Sequence, residues 1–265
     1  MIDGRVHRAF SQAREQGRAA LMPYITAGDP PEPDLGSILL AMQRGGADVI
    51  EIGIPFSDPI ADGPVIASAM YRALGAGVSP GSVFDQIAAV RDDVKVALVA
   101  MVSMSIVETL GIDAFVNRVS ECGLDGLIVP DADLDALSTL ENACRAKELT
   151  LTPLVAPSST PERIQQISKH ASGFVYMLAR AGVTGARSEA PEIEARVHAL
   201  RAMTKLPIAV GFGISTGAHV AAVGQHADGA IVGSALVKYL NEVHKNDGDV
   251  LGAAERFVSD LRLVQ

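Results

Sequence analysis

Glu51 stands inside an otherwise apolar run, Asp48-Val-Ile-Glu-Ile-Gly-Ile54. In an extended strand alternate residues share a face, so Val49, Glu51 and Gly53 would point the same way. Burial there disfavours the charged form of Glu51 and moves its proton affinity toward the range useful for proton transfer at neutral pH. A structural ion pair is the other use of such a residue. The run continues as Pro55-Phe-Ser-Asp-Pro-Ile-Ala-Asp-Gly-Pro64, which reads as a long loop with two more carboxylates, Asp58 and Asp62. Beside Pro and Gly an Asp commonly caps a turn or helix. Residue type alone leaves each of the two open between cap and catalyst.

Glycine-rich turns supply a second kind of chemistry. Gly211-Phe-Gly-Ile-Ser215 and Gly233-Ser234 each follow a short apolar run. Glycine lets the backbone approach an anion closely, and the N–H groups of a following helix favour phosphate. Tight turns without a ligand would use the same residues. A third loop, Arg180-Ala-Gly-Val-Thr-Gly-Ala-Arg187, has the glycines of a segment that closes over a ligand, or of a mobile surface loop.

Other chemistries find no support. All six His (7, 170, 198, 219, 226 and 244) lie away from the expected strand ends, which argues against a metal-dependent sugar-phosphate epimerase. Lys95 and Lys205 precede strands rather than end them, so a Schiff-base aldolase is unsupported. The net charge of −9 argues against nucleic acid. Cys122 and Cys144 lack ligand spacing and read as reduced, mostly buried thiols. The polar opening residues do not resemble a leader, and no apolar run approaches the ~20 residues of a membrane span. A cytoplasmic protein is expected.

These residues need a scaffold. Short apolar runs at Ala20–Thr26, Asp48–Ile54, Val94–Met101, Gly126–Pro130, Thr150–Ala156, Gly173–Ala179, Pro207–Gly211 and Gly229–Val232 read as strands. Stretches with helical spacing lie between most of them, among them Pro33–Arg44, Ser82–Arg91, Ile106–Cys122 and Leu134–Lys147. A further helix, Asp3–Gln16, precedes the first strand. Alternation of this kind implies parallel strands joined by right-handed crossovers. Eight repeats in 265 residues predict one domain, a (β/α)8 TIM barrel with an extra N-terminal helix. An open doubly wound sheet is the alternative, weakened because no GxGxxG follows the first strand. Aromatics are 4% with no Trp, so aliphatic side chains must fill the core, as barrels favour. A faint echo links Asp125-Gly-Leu-Ile-Val-Pro-Asp131 to Asp228-Gly-Ala-Ile-Val-Gly-Ser234. In such a barrel the chemistry sits at the C-terminal strand ends, where all the loops above fall.

Met22-Pro-Tyr-Ile-Thr-Ala-Gly-Asp29, the segment Glu51–Pro64, Gly182-Val-Thr-Gly185, Gly211–Ser215 and Asp228–Ser234 together resemble the α subunit of tryptophan synthase, in the same order over nearly the whole chain. The segment around Glu51 is the specific one; the glycine loops alone are not. The resemblance implies retro-aldol cleavage of indole-3-glycerol phosphate, with Glu51 as general acid–base. It implies Asp62 as the carboxylate that pairs with the indole N–H, and leaves Asp58 as a loop residue. Tyr24, Tyr176, Thr184 and Phe212 match substrate-binding positions. Gly185, Gly213, Gly233 and Ser234 match the phosphate site. It further implies no metal and no cofactor in this chain, and an α2β2 heterotetramer whose β subunit carries pyridoxal phosphate.

The chain departs from the family in places. After the third strand the family usually has a Tyr and an Asn-containing loop; here the stretch is Met101-Val-Ser-Met-Ser-Ile106. Ala132 follows Asp131 where the family has Pro, and Ala67 stands where it often has Gln. The third-strand loop borders both the indole and the β subunit in the family. Two rival readings follow: a stand-alone indole-releasing lyase without a β partner, and a mainly regulatory binding subunit.

Overall fold

The computed structural model describes residues 4–59, 62–179, 193–211 and 213–263. Nine parallel strands form one sheet: β1 (Ala20–Thr26), β2 (Val49–Gly53), β3 (Ala97–Met101), β4 (Gly126–Ile128), β5 (Thr150–Thr152), β6 (Leu154–Val155), β7 (Val175–Leu178), β8 (Ile208–Gly211) and β9 (Gly229–Val232). Their hydrogen-bonded order is β5-β4-β3-β2-β1-β9-β8-β7-β6. The two ends of that order are consecutive in the chain. Only Pro153 separates them, and proline has no N–H to give to a ladder. β5 pairs with β4 while β6 pairs with β7, and the Tyr176 N–H donates to the Pro153 carbonyl at 3.2 Å. The expected fifth strand, Thr150–Ala156, is thus two short segments on one path, and the ring of eight closes there.

Helices surround the ring: α1 (Arg5–Glu15), α2 (Leu35–Arg44), α3 (Gly63–Gly75), α4 (Pro80–Val90), α5 (Met104–Leu110), α6 (Ile112–Glu121), α7 (Leu134–Ala146), α8 (Pro161–Lys169), α9 (Glu194–Arg201), α10 (Gly217–Gly224), α11 (Ser234–Lys245) and α12 (Val250–Arg262). Three differ from the sequence expectation. The single helix over Ile106–Cys122 is broken at Gly111, whose φ of 83° ends α5 and starts α6. Helix α3 occupies a stretch read as following a loop with no helix. Its cues are Pro64 in the first turn and buried Ile66, Ala69, Met70 and Ala73 at helical spacing. Helix α11, the short helix expected after Gly233-Ser234, is longer than one turn and runs for 12 residues.

The aliphatic core lies in two layers. Leu21, Ile50, Leu98, Leu127, Leu151 and Val210 face outward against the helices. Met22, Val49, Val99, Ile128, Tyr176 and Ile231 fill the barrel. Helix α1 plugs the bottom with Val6, Ala9, Phe10 and Ala13, and Phe10 meets Phe174 at a ring separation of 5.4 Å. Cys122 and Cys144 are free and buried. Among the described residues no helix is long and apolar enough to cross a membrane.

The same end carries a device used three times. Asp48, Asp125 and Asp228 each stand just before a strand. Their carboxylates accept the backbone N–H of Leu21, Leu98 and Ile208 respectively, each at 2.8 Å. Each Asp N–H returns a bond to the carbonyl of that same residue. Every carboxylate also meets two guanidinium groups: Arg18 and Arg262, Arg5 and Arg91, Arg14 and Arg201. This explains the echo between 125–131 and 228–234: the shared Asp locks the register of neighbouring strands. Asp48→Ala leaves the Leu21 N–H and a largely buried Arg18 unpaired, and should cost roughly 2–4 kcal/mol in urea unfolding. Asp85→Ala removes only the exposed pair with Arg118 and should cost under ~1 kcal/mol. Equal midpoints for the two variants would contradict the locking role.

Candidate active site

The site is built from the upper ends of β1, β2 and β7. Register sets Tyr24 beside Glu51, and Glu51 beside Val99. Glu51 is 1% exposed, and its Oε2 is buried without a hydrogen-bond partner among the described residues. Burial among aliphatic side chains, and secondarily the charge of Asp62, push its carboxyl up to about 8. It is therefore an acid at neutral pH, with a proton to give.

Two phenols stand over this carboxyl. The Tyr24 hydroxyl shares a 3.2 Å hydrogen bond with the Thr26 hydroxyl. Burial raises the Tyr24 phenol strongly, the Thr26 bond opposes that, and Asp62 and Glu51 add to it. Tyr176 is raised by burial first and then by Glu51. Both phenols stay neutral donors at any working pH. Each lies over a glycine: a Cβ at Gly53 would overlap the Tyr24 hydroxyl, and one at Gly211 the Tyr176 hydroxyl. The glycines ending β2 and β8 are needed for space as much as for turning.

Asp62 occupies the N-cap position of α3, yet its side chain makes no capping bond. It lines a cavity of about 170 Å³ whose other walls include Phe56, Asp58, Met70, Met101 and Asp131. The cavity is apolar with carboxylates at its rim, a fit for a flat ring bearing an N–H. Burial raises Asp62, and the charge of Asp131 adds to it. Helix α3 is anchored from its far side. Buried Asp29 accepts two bonds from Arg72, at 2.7 and 2.9 Å, which ties α3 to the loop after β1. Asp58 is exposed at the rim and accepts from the Ser57 hydroxyl at 2.7 Å.

The glycine loops reach the same face. Gly213 follows β8 with φ 84°. Gly233 caps α11 and packs near Tyr24, and Ser234 is the buried first residue of that helix. His219, in the first turn of α10, accepts the Ser215 N–H at 3.4 Å. Thr184, Gly185 and Phe212 lie outside the described residues, as do Arg180, Gly182 and Arg187. Tyr24, Glu51, Asp62 and Tyr176 are brought together. Sequence reasoning missed Asp131, Thr26 and the Asp29–Arg72 pair as parts of the site; an acidic residue just past β4 was the one available cue. Among the described residues no three His, Cys, Asp or Glu side chains converge to hold a metal.

Comparison with known proteins places this architecture. The model of the family described as tryptophan synthase alpha chain matches residues 10–263. The tryptophan synthase alpha chain of Gloeobacter violaceus is 43% identical over 241 residues, 89% of this chain and 87% of that protein. That of Prochlorococcus marinus is 40% identical over 258 residues, 97% of this chain and 96% of that one. Among solved structures, the tryptophan synthase subunit alpha of Legionella pneumophila superposes with a TM-score of 0.89 at 34% identity, covering 98% of this chain and 97% of that one. A chain of Mycobacterium tuberculosis tryptophan synthase superposes with a TM-score of 0.87 at 35% identity, covering 98% of both. The match runs from residue 10 to residue 263, and on it the chain belongs to the tryptophan synthase alpha chain family.

Proposed function

We propose that Glu51 is the general acid–base, and Asp62 the counter-charge, in the cleavage of indole-3-glycerol phosphate to indole and glyceraldehyde 3-phosphate. The observation that carries this is the buried Glu51 carboxyl, whose Oε2 has no hydrogen-bond partner among the described residues and whose proton affinity is raised by burial and by the charge of Asp62. Glu51 gives its proton to the ring carbon that bears the glycerol chain. The ring becomes cationic, and Asp62 accepts its N–H and offsets the charge. Glu51, now a carboxylate, takes the hydroxyl proton from the adjacent chain carbon. The carbon–carbon bond breaks, its electron pair restores the aromatic ring, and the aldehyde leaves. No electrons enter or leave the pair of products, and Glu51 ends protonated as it began.

Tyr24 and Tyr176 hold the substrate beside Glu51, with Thr184 and Phe212 completing the pocket. Gly185, Gly213, Gly233 and Ser234 hold the phosphate, where the α11 N-terminus presents its free N–H groups. The whole chain, residues 1–265, works as one barrel in the cytoplasm. As a member of its family it is the α subunit of tryptophan synthase in tryptophan biosynthesis. It is a carbon–carbon lyase that needs no cofactor of its own and pairs with a pyridoxal-phosphate-bearing β subunit in an α2β2 assembly.

Glu51→Gln and Asp62→Asn should each lower kcat for indole release by roughly 10²–10⁴-fold while KM changes little. Wild-type turnover in either variant would refute these roles. In the unaltered chain kcat/KM should fall as pH rises through about 8, where Glu51 loses the proton it must donate. Stability follows the same group. Its folded affinity is raised above the unfolded value, so the folded state is penalised once pH exceeds the unfolded value of 4.5. Glu51→Gln should therefore stabilise the fold by roughly 2–5 kcal/mol at pH 8 and by almost nothing at pH 4. Thermal melts at the two pH values read this directly.

A further inference from the structure

Carboxylates step outward from the floor of the site. Glu51 is buried in the barrel, Asp62 is half-buried above it, and Asp131 stands at the rim, lining the same cavity as Asp62. Asp131 is not loose. Its Oδ2 accepts the Ser103 hydroxyl at 2.7 Å and its Oδ1 accepts the Met104 N–H at 2.8 Å. Ser103 is buried and is itself the N-cap of α5, accepting the Ser105 N–H at 3.3 Å. The loop after β3 and the residue after β4 are thereby clasped, and both oxygens of Asp131 are held where the cavity opens.

We propose that Asp131, clasped by Ser103 and the Met104 N–H, is a positioning residue that adds a second fixed negative charge beside Asp62, strengthening it as acceptor of the substrate N–H. The proposal rests on the assignment of Asp62 above. Electrostatics agree with the geometry: the Asp131 charge raises the proton affinity of Asp62, as a nearby like charge must. Among the described residues, the groups facing Asp62 from the elements around it are Tyr24 on β1, Glu51 on β2, Asp58 in its own loop, Asp131 after β4 and Tyr176 on β7, all carboxyls or phenols; Arg180 and Arg187 lie outside the described residues. A cation formed on the ring is the species this arrangement favours, and a strong base at Asp62 is what an N–H partner needs.

The test is the pH profile of kcat/KM for indole release by the full chain with its β subunit present. Asp131→Asn keeps the size and removes the charge. Turnover at neutral pH should fall roughly three- to tenfold. The acid limb, set by ionisation of Asp62, should move to lower pH by about half a unit, because the like charge that raised it is gone. Ser103→Ala loosens the clasp but keeps the charge, so KM should rise with the acid limb in place. A limb unmoved in Asp131→Asn, or matching profiles in the two variants, would overturn the proposal in favour of a loop-holding role. Glu51→Gln and Asp62→Asn run alongside: if they stay active, the underlying assignment fails, and if they are inactive while Asp131→Asn is unshifted, only this inference fails.

Discussion

One carboxyl group inside an aliphatic barrel governs the upper half of this molecule. Glu51 is buried and, among the described residues, its Oε2 has no hydrogen-bond partner; burial and the charge of Asp62 push its carboxyl up to about 8. An isolated charge at that depth would cost the fold several kcal/mol. The neutral acid is tolerated, and it is also the form that can protonate a carbon. The cost of burial and the chemistry are thus the same physical fact. Everything around Glu51 limits the ways to relieve it: the flanking residues are aliphatic, and the phenols of Tyr24 and Tyr176 are turned onto glycines.

The two ends of the barrel treat charge in opposite ways. At the bottom, Asp48, Asp125 and Asp228 are each saturated by a backbone N–H and two guanidinium groups. Those carboxylates serve register and closure. At the top, Glu51 and Asp62 have no described cation beside them and face each other, and both are pushed upward. Pro153 interrupts the pairing between β5 and β6, and the Tyr176 N–H bridges the gap through the Pro153 carbonyl.

Loop chemistry links the two regimes. Helix α3 begins at Asp62, and its seat is decided by the Asp29–Arg72 pair on its opposite side. The Ser103–Asp131 clasp lies in the stretch where this chain differs from its family. The stretch is tied to the rim of the cavity by two bonds, one from the Ser103 hydroxyl and one from the Met104 N–H.

Much of this was legible in the residues themselves. Eight short apolar runs separated by amphipathic stretches specify a parallel barrel, because strand and helix periods differ and each run is too short to be a buried helix. Glu51 was legible because one carboxylate in a hydrophobic strand has few uses. Strand alternation placed it on one face with Val49 and Gly53; that this face is the barrel interior came from the tertiary structure. Choosing Asp62 over Asp58 was not possible from residue type, since Asp58 sits beside Pro and Asp62 beside Gly in a loop and either could cap. In the tertiary structure both line the cavity, but Asp62 is half-buried at a cap position without capping, while Asp58 is exposed and bonded to Ser57. Asp131 and Ser103 are far apart in sequence and meet only because β3 and β4 are neighbours in the ring. Sequence periodicity reports what each element buries, whereas contacts between loops depend on which strands the closed barrel sets side by side.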